Sequence, residues 1–331
     1  TRGAAPDSAC SAGREDDNVR FPASSGPWSD EALMDTSPKK RPIVMVAMGG
    51  HAFMKEGQKG TVDEHNKNAA EICERLMVLV ERGYNVVITH GNGPQVGHQL
   101  IKNELTHEEV PSWPMDVLVA ETEGSLGYIL QQALLNQLRS RKIKRYVVAV
   151  ICQVLVDPAD PAFSRPTKPI GPFMTRADAE EREKDLGWVI HQDKVRGWRR
   201  VVPSPDPKRV VQRWMIRDAA CEGHIVIAGG GGGIPIIKDA AGNYEGIEGV
   251  LDKDLTASLL AMEIGAEFLI ILSDISNVYT HYGTDEQHPT SERGSYAPAE
   301  HPGGRGRGEL RRRTPDHPVA RGVRRARRRR R

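Results

Sequence analysis

The sequence predicts an α/β protein, a three-layer α/β/α open sandwich built on a mainly parallel sheet with a small projecting subdomain. Three observations predict it. The apolar run Ile43-Val44-Met45-Val46-Ala47-Met48 closes in Gly49-Gly50-His51-Ala52. About forty residues on, Val86-Val87-Ile88 closes in His90-Gly91-Asn92-Gly93-Pro94-Gln95-Val96-Gly97. Further on, strand-like and helix-like segments alternate, as they do in parallel sheets covered on both faces. Strands that end in glycine turns set bare backbone N–H groups side by side, which is an anion site. That pairing points to phosphate handling.

Each element has its own signal. Residues 63–82 carry Ile72, Leu76 and Val80 at helical spacing, and Gly83 supplies the stop. Residues 86–89 are the next strand. Residues 121–138 place Leu126, Ile129, Leu130, Ala133 and Leu134 on one side of a second amphipathic helix. Strand-like runs follow at 146–151, 224–228 and 268–272, and helices at 208–222 and 254–264. Residues 157–207 interrupt the alternation with proline and charge around a polar helix at 176–184, and predict the subdomain over the site. The folded α/β domain spans 41–284 on this pattern.

Both ends differ from the middle. Residues 1–40 are rich in Ser, Ala, Asp, Pro and Gly without periodicity and predict disorder, with Met34 a candidate natural start. The formal net charge of +2 conceals an uneven distribution: from Asp285 on, about fourteen arginines face about six acidic residues. The remainder is mildly acidic. Residues 285–331 have almost no large aliphatic side chains and cannot complete a sheet. Three explanations compete: a basic arm for nucleic acid, a disordered tail, and an out-of-frame or truncated reading of a GC-rich gene, which is favoured. No run reaches the roughly 18 apolar residues of a membrane span, and no signal peptide is visible. Four scattered cysteines without metal-ligand spacing predict reduced thiols in a cytoplasmic protein.

The candidate chemistry lies in loops. The five-glycine run Gly229–Gly233 follows a buried strand, where glycine allows φ > 0 and close approach to a ligand; a flexible linker would look alike. Leu251-Asp252-Lys253-Asp254 opens a helix. Asp254 is a plain N-cap there, or the run is a lysine held by carboxylates at a phosphate site. Lys168 is clamped by prolines in Pro166-Thr167-Lys168-Pro169, either as a surface lysine or as a charge positioned to reach a site. His51 and His90 at strand ends are structural or ligand-facing. Trp188, Trp198 and Trp214 predict packing rather than base stacking.

Jointly these pieces resemble the carbamate kinases of the amino-acid kinase family, from about Pro42 to Gly283 and in the family's order. Gly49-Gly50, His90–Gly97, Gly124-Ser125-Leu126-Gly127-Tyr128, Pro166–Phe173, Arg196–Pro205, the glycine run with Ile234-Pro235, and Asp252-Lys253-Asp254 carry the resemblance. It implies reversible phosphoryl transfer between ATP and carbamate, giving ADP and carbamoyl phosphate, with Mg²⁺ and no direct protein ligand to the metal. It implies a homodimer with no membrane partner and no role for nucleic acid, often serving arginine breakdown. By the resemblance, Lys168 reaches carbamoyl phosphate, Lys253 spans the transferring phosphate and Asp254 orients the lysines. Gly49, Gly50, His51, Gly91 and Asn92 hold phosphate oxygens. Gly230, Gly231, Asp274 and Tyr282 fall in the nucleotide site. The chemistry is consistent: carbamate is already an oxyanion, so the task is to bring two anions together with lysines, Mg²⁺ and N–H groups rather than with a general base.

The chain departs from the family at three places. His51 stands where Asn is common, Glu123 where Gln is common, and the late Pro-Gly-Ser-Met loop and its following lysine have no match. The expectation is therefore a 331-residue chain of low solubility or weak nucleotide binding, with little kinase activity. Relatives acting on acetylglutamate, glutamate or uridine monophosphate usually carry a lysine two residues before the first glycine pair; Ala47 stands there. Two readings of a different class compete with a kinase: nucleic-acid binding through the arginine tail, and a folded but inactive remnant.

Overall fold

The computed structural model describes residues 41–55, 57–193 and 197–272, and the strand pair Tyr279–Thr280 and His288–Pro289. The chain divides into two units, Thr1–Ser273 and Asp274–Arg331. The first begins with β1 (Ile43–Met48), α1 (Val62–Glu81), β2 (Asn85–His90), α2 (Gly93–Thr106) and α3 (Met115–Ser140). Next come β3 (Val147–Val150), β4 (Gln153–Leu155), α4 (Pro161–Ser164), β5 (Lys168–Met174), α5 (Arg176–Leu186), β6 (Ile190–Asp193) and β7 (Gly197–Val202). It closes with β8 (Arg209–Val210), α6 (Arg213–Cys221), β9 (Ile225–Ala228), β10 (Ile234–Lys238), β11 (Tyr244–Gly246), α7 (Lys253–Glu263) and β12 (Phe268–Leu272). In the second unit, Tyr279–Thr280 and His288–Pro289 pair antiparallel.

The central sheet runs β12-β1-β2-β9-β3, with every pairing parallel. Strands β1 and β9 are unbroken, wholly buried apolar runs because both faces are covered, as in buried parallel sheets, whereas edge strand β12 leaves Leu269, Ile271 and Leu272 exposed. The period of two sorts β1 cleanly. Val44, Val46 and Met48 pack with α1 and α3 through Leu76, Val80, Leu126 and Leu130. Ile43, Met45 and Ala47 pack on the other face with α6 and α7 through Ile216, Ala257 and Leu260. This is the three-layer sandwich that the alternation predicts. Leu130 is wholly buried in the first of these layers. Leu130→Ala is expected to cost about 2–5 kcal/mol in denaturant unfolding; a loss under about 0.5 kcal/mol would contradict the layer assignment.

Local sequence explains the ends of the elements. Thr61 caps α1 in a reciprocal capping box with Glu64, and Thr175 does the same for α5 with Asp178. The helix expected over 208–222 is shorter than predicted: Arg209–Val210 forms β8 against β4, and α6 starts at Arg213. Val210 is fully buried in that pairing, which a prolonged helix would forfeit. The cap of α7 is also corrected. Asp252, not Asp254, is the N-cap, accepting from the N–H groups of Asp254 (2.9 Å) and Leu255 (3.2 Å). Trp188 is buried as expected, whereas Trp214 is half exposed on α6.

A second sheet, β11-β10-β4-β8, extends the body, and β5-β7-β6 form an antiparallel sheet backed by α5. This last sheet is the subdomain within 157–207. It is seated on α2 and α3 by a core containing Val96, Leu100, Leu118, Ile170 and Trp188. Gly97 and Gly171 meet backbone to backbone there: a Cβ on Gly97 would stand 2.9 Å from Gly171 Cα. Arg199 Nε donates to the carbonyls of Ile170 (3.2 Å) and Gly171 (2.7 Å). Arg200 stacks on Trp188 (4.5 Å) and pairs with Glu248 (2.7 Å), whose other oxygen accepts from Met115 N (3.3 Å). These contacts fix β5, and with it Lys168 at its first position.

Candidate active site

Three glycine turns converge at the C-terminal ends of β1, β2 and β9. The turn after β1 lies against the turn after β2 with almost no separation: a Cβ on Gly91 would stand 2.6 Å from Gly50 N. Gly91 N donates to Met48 O (2.8 Å). The turn after β2 in turn meets the glycine run. Gly231, at φ +67°, sits so close to Asn92 that a Cβ would be 2.2 Å from Asn92 Nδ2. The sequence motifs thus become one continuous backbone surface of Gly49, Gly50, Gly91, Asn92, Gly230 and Gly231. His51 follows in the short 3₁₀ turn Gly50–Ala52.

Buried hydroxyls hold this surface. Thr89 Oγ1 donates to Gly229 O (2.7 Å), and Thr256 Oγ1 to Gly232 O (2.8 Å). Asn92 Nδ2 donates to Thr122 Oγ1 (2.8 Å). Two carbonyls of the run are thereby engaged by β2 and α7. Sequence reasoning missed Thr89, Thr122 and Thr256; their partners lie 140, 30 and 24 residues away along the chain. Only the position of Thr89, one residue before the His90-Gly91 turn, could have drawn attention.

The lysines arrive from two directions. Gly232 is packed on the Leu251 backbone, which leads straight to Asp252-Lys253-Asp254. Lys253 Nζ lies 2.6 Å from Asp254 Oδ1. Lys168 Nζ, from the subdomain, donates to Leu251 O (2.5 Å) and lies 3.8 Å from Asp252 Oδ2. Burial pulls the Lys168 ammonium below the usual lysine range, with Lys253 adding to the effect and Asp252 and Asp254 opposing it. Two cations with tethering carboxylates therefore flank a surface of backbone amides. This arrangement binds and neutralises anions. Asp274 and Tyr282 lie outside the described residues.

A cavity of about 490 Å³ lies apart from this place, under the subdomain between Trp113, Trp188, Arg200 and Glu248. It includes none of the glycine turns and neither lysine. Among the described residues no group of three or more His, Cys, Asp or Glu is placed to hold a metal ion.

The amino acid kinase family model matches residues 42–292. The chain belongs to the amino acid kinase family. This amino acid kinase is 47% identical over 246 residues to a carbamate kinase of Pyrococcus horikoshii, covering 74% of this chain and 78% of the relative. It is 41% identical over 246 residues to a carbamate kinase of Trichomonas vaginalis, with the same coverage. Among solved structures, a carbamate kinase from Giardia lamblia bound to AMP-PNP superposes with a TM-score of 0.69 at 35% identity, covering 75% of this chain and 79% of that one.

Proposed function

We propose that this amino acid kinase is a carbamate kinase, transferring a phosphoryl group reversibly between ATP and carbamate. One observation carries the proposal beyond the family: the subdomain lysine Lys168 meets the body at Leu251, beside Lys253, where the glycine turns end. Ala47, where relatives with other substrates usually carry a lysine, is fully buried in the core and adds no charge to the site. In the proposed roles Gly49, Gly50, Gly91 and Asn92 present N–H groups to the transferring phosphate. His51 stands beside them, and Gly230 and Gly231, with Asp274 and Tyr282, serve the nucleotide. Lys168 binds the carbamoyl end, Lys253 bridges the phosphoryl group as its charge spreads, and Asp254 holds Lys253 in place. Neither a general base nor a covalent intermediate is needed, because carbamate already carries the attacking oxygen as an anion.

Mg²⁺ is proposed to enter with the nucleotide, neutralising phosphate charge. Asp252 and Asp254 already face lysines, which suits ligation by phosphate oxygens rather than by a protein cage. Among the described residues no helix is long and apolar enough to cross a membrane. A cytoplasmic homodimer, and reduced activity caused by the arginine-rich stretch 285–331, complete the proposal; of that stretch only His288–Pro289 lie among the described residues. The test is a substrate panel. With ATP and Mg²⁺, ADP is expected to form with carbamate and not with acetylglutamate, glutamate or uridine monophosphate. Turnover of acetylglutamate without carbamate turnover would overturn the assignment.

A further inference from the structure

Helix α3 carries two adjacent buried polar residues that the proposed chemistry does not use, Thr122 and Glu123. Thr122 receives the Asn92 amide, from the turn after β2. Glu123 Oε2 receives Cys152 N (2.8 Å), and the Gly230 backbone amide also acts on the carboxyl. Neighbouring residues of one helix therefore hold two of the three glycine turns.

We propose that Glu123 is a positioning residue which, as a neutral carboxylic acid, fixes the glycine run against α3 and the end of β3. The role rests on reading that run as a phosphate cradle. The geometry argues for the neutral form. Glu123 is 4% exposed, and Oε1 has no hydrogen-bond partner among the described residues. The groups facing it supply no positive charge. From the end of β2 comes His90, whose Nδ1 lies 3.2 Å from Gly91 O. A carbonyl only accepts, so Nδ1 holds the proton and Nε2 does not. Burial lowers the His90 pKa to about 4, so the ring is neutral at physiological pH. From beyond β3 comes Cys152, its thiol pushed up by burial and so uncharged. The run contributes only backbone, and α3 itself only the uncharged Thr122.

A carboxylate in this place would lack a counter-charge, and burial raises Glu123 well above the carboxylate range despite two amides that favour ionisation. There is no slack for rearrangement. A Cβ on Gly230 would stand 2.5 Å from His90 Nε2 and 3.2 Å from Glu123 Cγ.

The folded form retains a proton that the unfolded chain releases near the ordinary glutamate value. Stability is therefore lost as pH rises from that value towards the folded one. Glu123→Gln keeps an acceptor oxygen and cannot ionise. In thermal unfolding of the full chain, the melting temperature of E123Q relative to wild type is expected to rise by about 3–5 °C per pH unit once the pH passes the ordinary glutamate range, until the folded carboxyl itself ionises. In hydrogen exchange corrected for intrinsic rates, the peptide bearing the glycine run is expected to loosen at alkaline pH in wild type and not in E123Q. A gap independent of pH would mean an ionised carboxylate and overturn the proposal. A widening gap with identical exchange profiles would overturn the positioning role. Should E123Q not fold, infrared spectroscopy of the wild type decides. A protonated-carboxyl stretch persisting at neutral pH supports the neutral acid, and its absence overturns it. None of these readouts uses kinase activity, so their failure is distinct from failure of the carbamate assignment.

Discussion

Replacing Lys253 by alanine is expected to lower turnover by about 10²–10³-fold while changing ADP affinity by less than about threefold. Lys253 stands at the first position of α7, its ammonium 2.6 Å from Asp254 and its side chain only 19% exposed. A cation so placed has most to gain when charge spreads over a transferring phosphoryl group, and less from a resting nucleotide. Removing it also leaves Asp254 facing the phosphates without its partner. Steady-state kinetics with ADP titration separates the effects. Unchanged turnover, or a loss confined to ADP affinity, would move Lys253 out of the proposed chemistry.

The second large effect is expected at Gly91. A methyl group there would stand 2.6 Å from Gly50 N and 3.2 Å from Gly50 Cα. These are backbone atoms, so no rotamer change relieves the contact and the first two glycine turns must separate. Gly91→Ala is expected to destabilise the protein by about 2–3 kcal/mol, as overpacking does, and to abolish measurable turnover. Gly124 is the control. It lies exposed within α3 with nothing within 4 Å of a built Cβ. Gly124→Ala should stabilise by about 0.5–1 kcal/mol through helix propensity. Calorimetry of both variants checks the pair; equal and small shifts would mean that the turns are not in contact.

Much of the fold is legible in the sequence, for a physical reason. Strands covered on both faces are uniformly apolar, so β1 and β9 stand out as runs, and β12 is an apolar run although Leu269, Ile271 and Leu272 are exposed. The amphipathic spacing of α1 and the one-sided leucines of α3 follow from burying one side of each helix. Helix α2 is not legible, because its first turn is written in Gly, Pro and Gln, and Val96 and Leu100 are its only buried aliphatic residues. Strand β8 reads as part of a helix because its two residues pair with β4, more than fifty positions away, and no local period records that pairing.

The site divides in the same way. The glycine turns and the two lysines are visible, because glycine punctuates apolar runs and a lysine between prolines or aspartates is conspicuous. The hydroxyls of Thr89, Thr122 and Thr256 are not. A threonine donating to a distant carbonyl has the same sequence signature as any threonine beside a strand or in a helix. In the sequence Glu123 stands out only as a departure from the family, and its burial against Cys152 and Gly230 is what gives it meaning. The capping aspartate is misplaced by two positions, since Asp252 and Asp254 both satisfy the cap pattern and only backbone geometry selects the first.

The measurement that tests the central claim most directly is ATP formation from ADP and carbamoyl phosphate. It compares the 331-residue chain with a chimaera in which residues 285–331 give way to the C-terminal segment of the Pyrococcus horikoshii relative. The chimaera is expected to form ATP at a rate that Lys253→Ala removes, and the unaltered chain to form it at about one hundredth of that rate or less, as the loss of one positioned cation predicts. No ATP from the chimaera would contradict the assignment of the glycine turns, Lys168 and Lys253 to carbamate kinase chemistry.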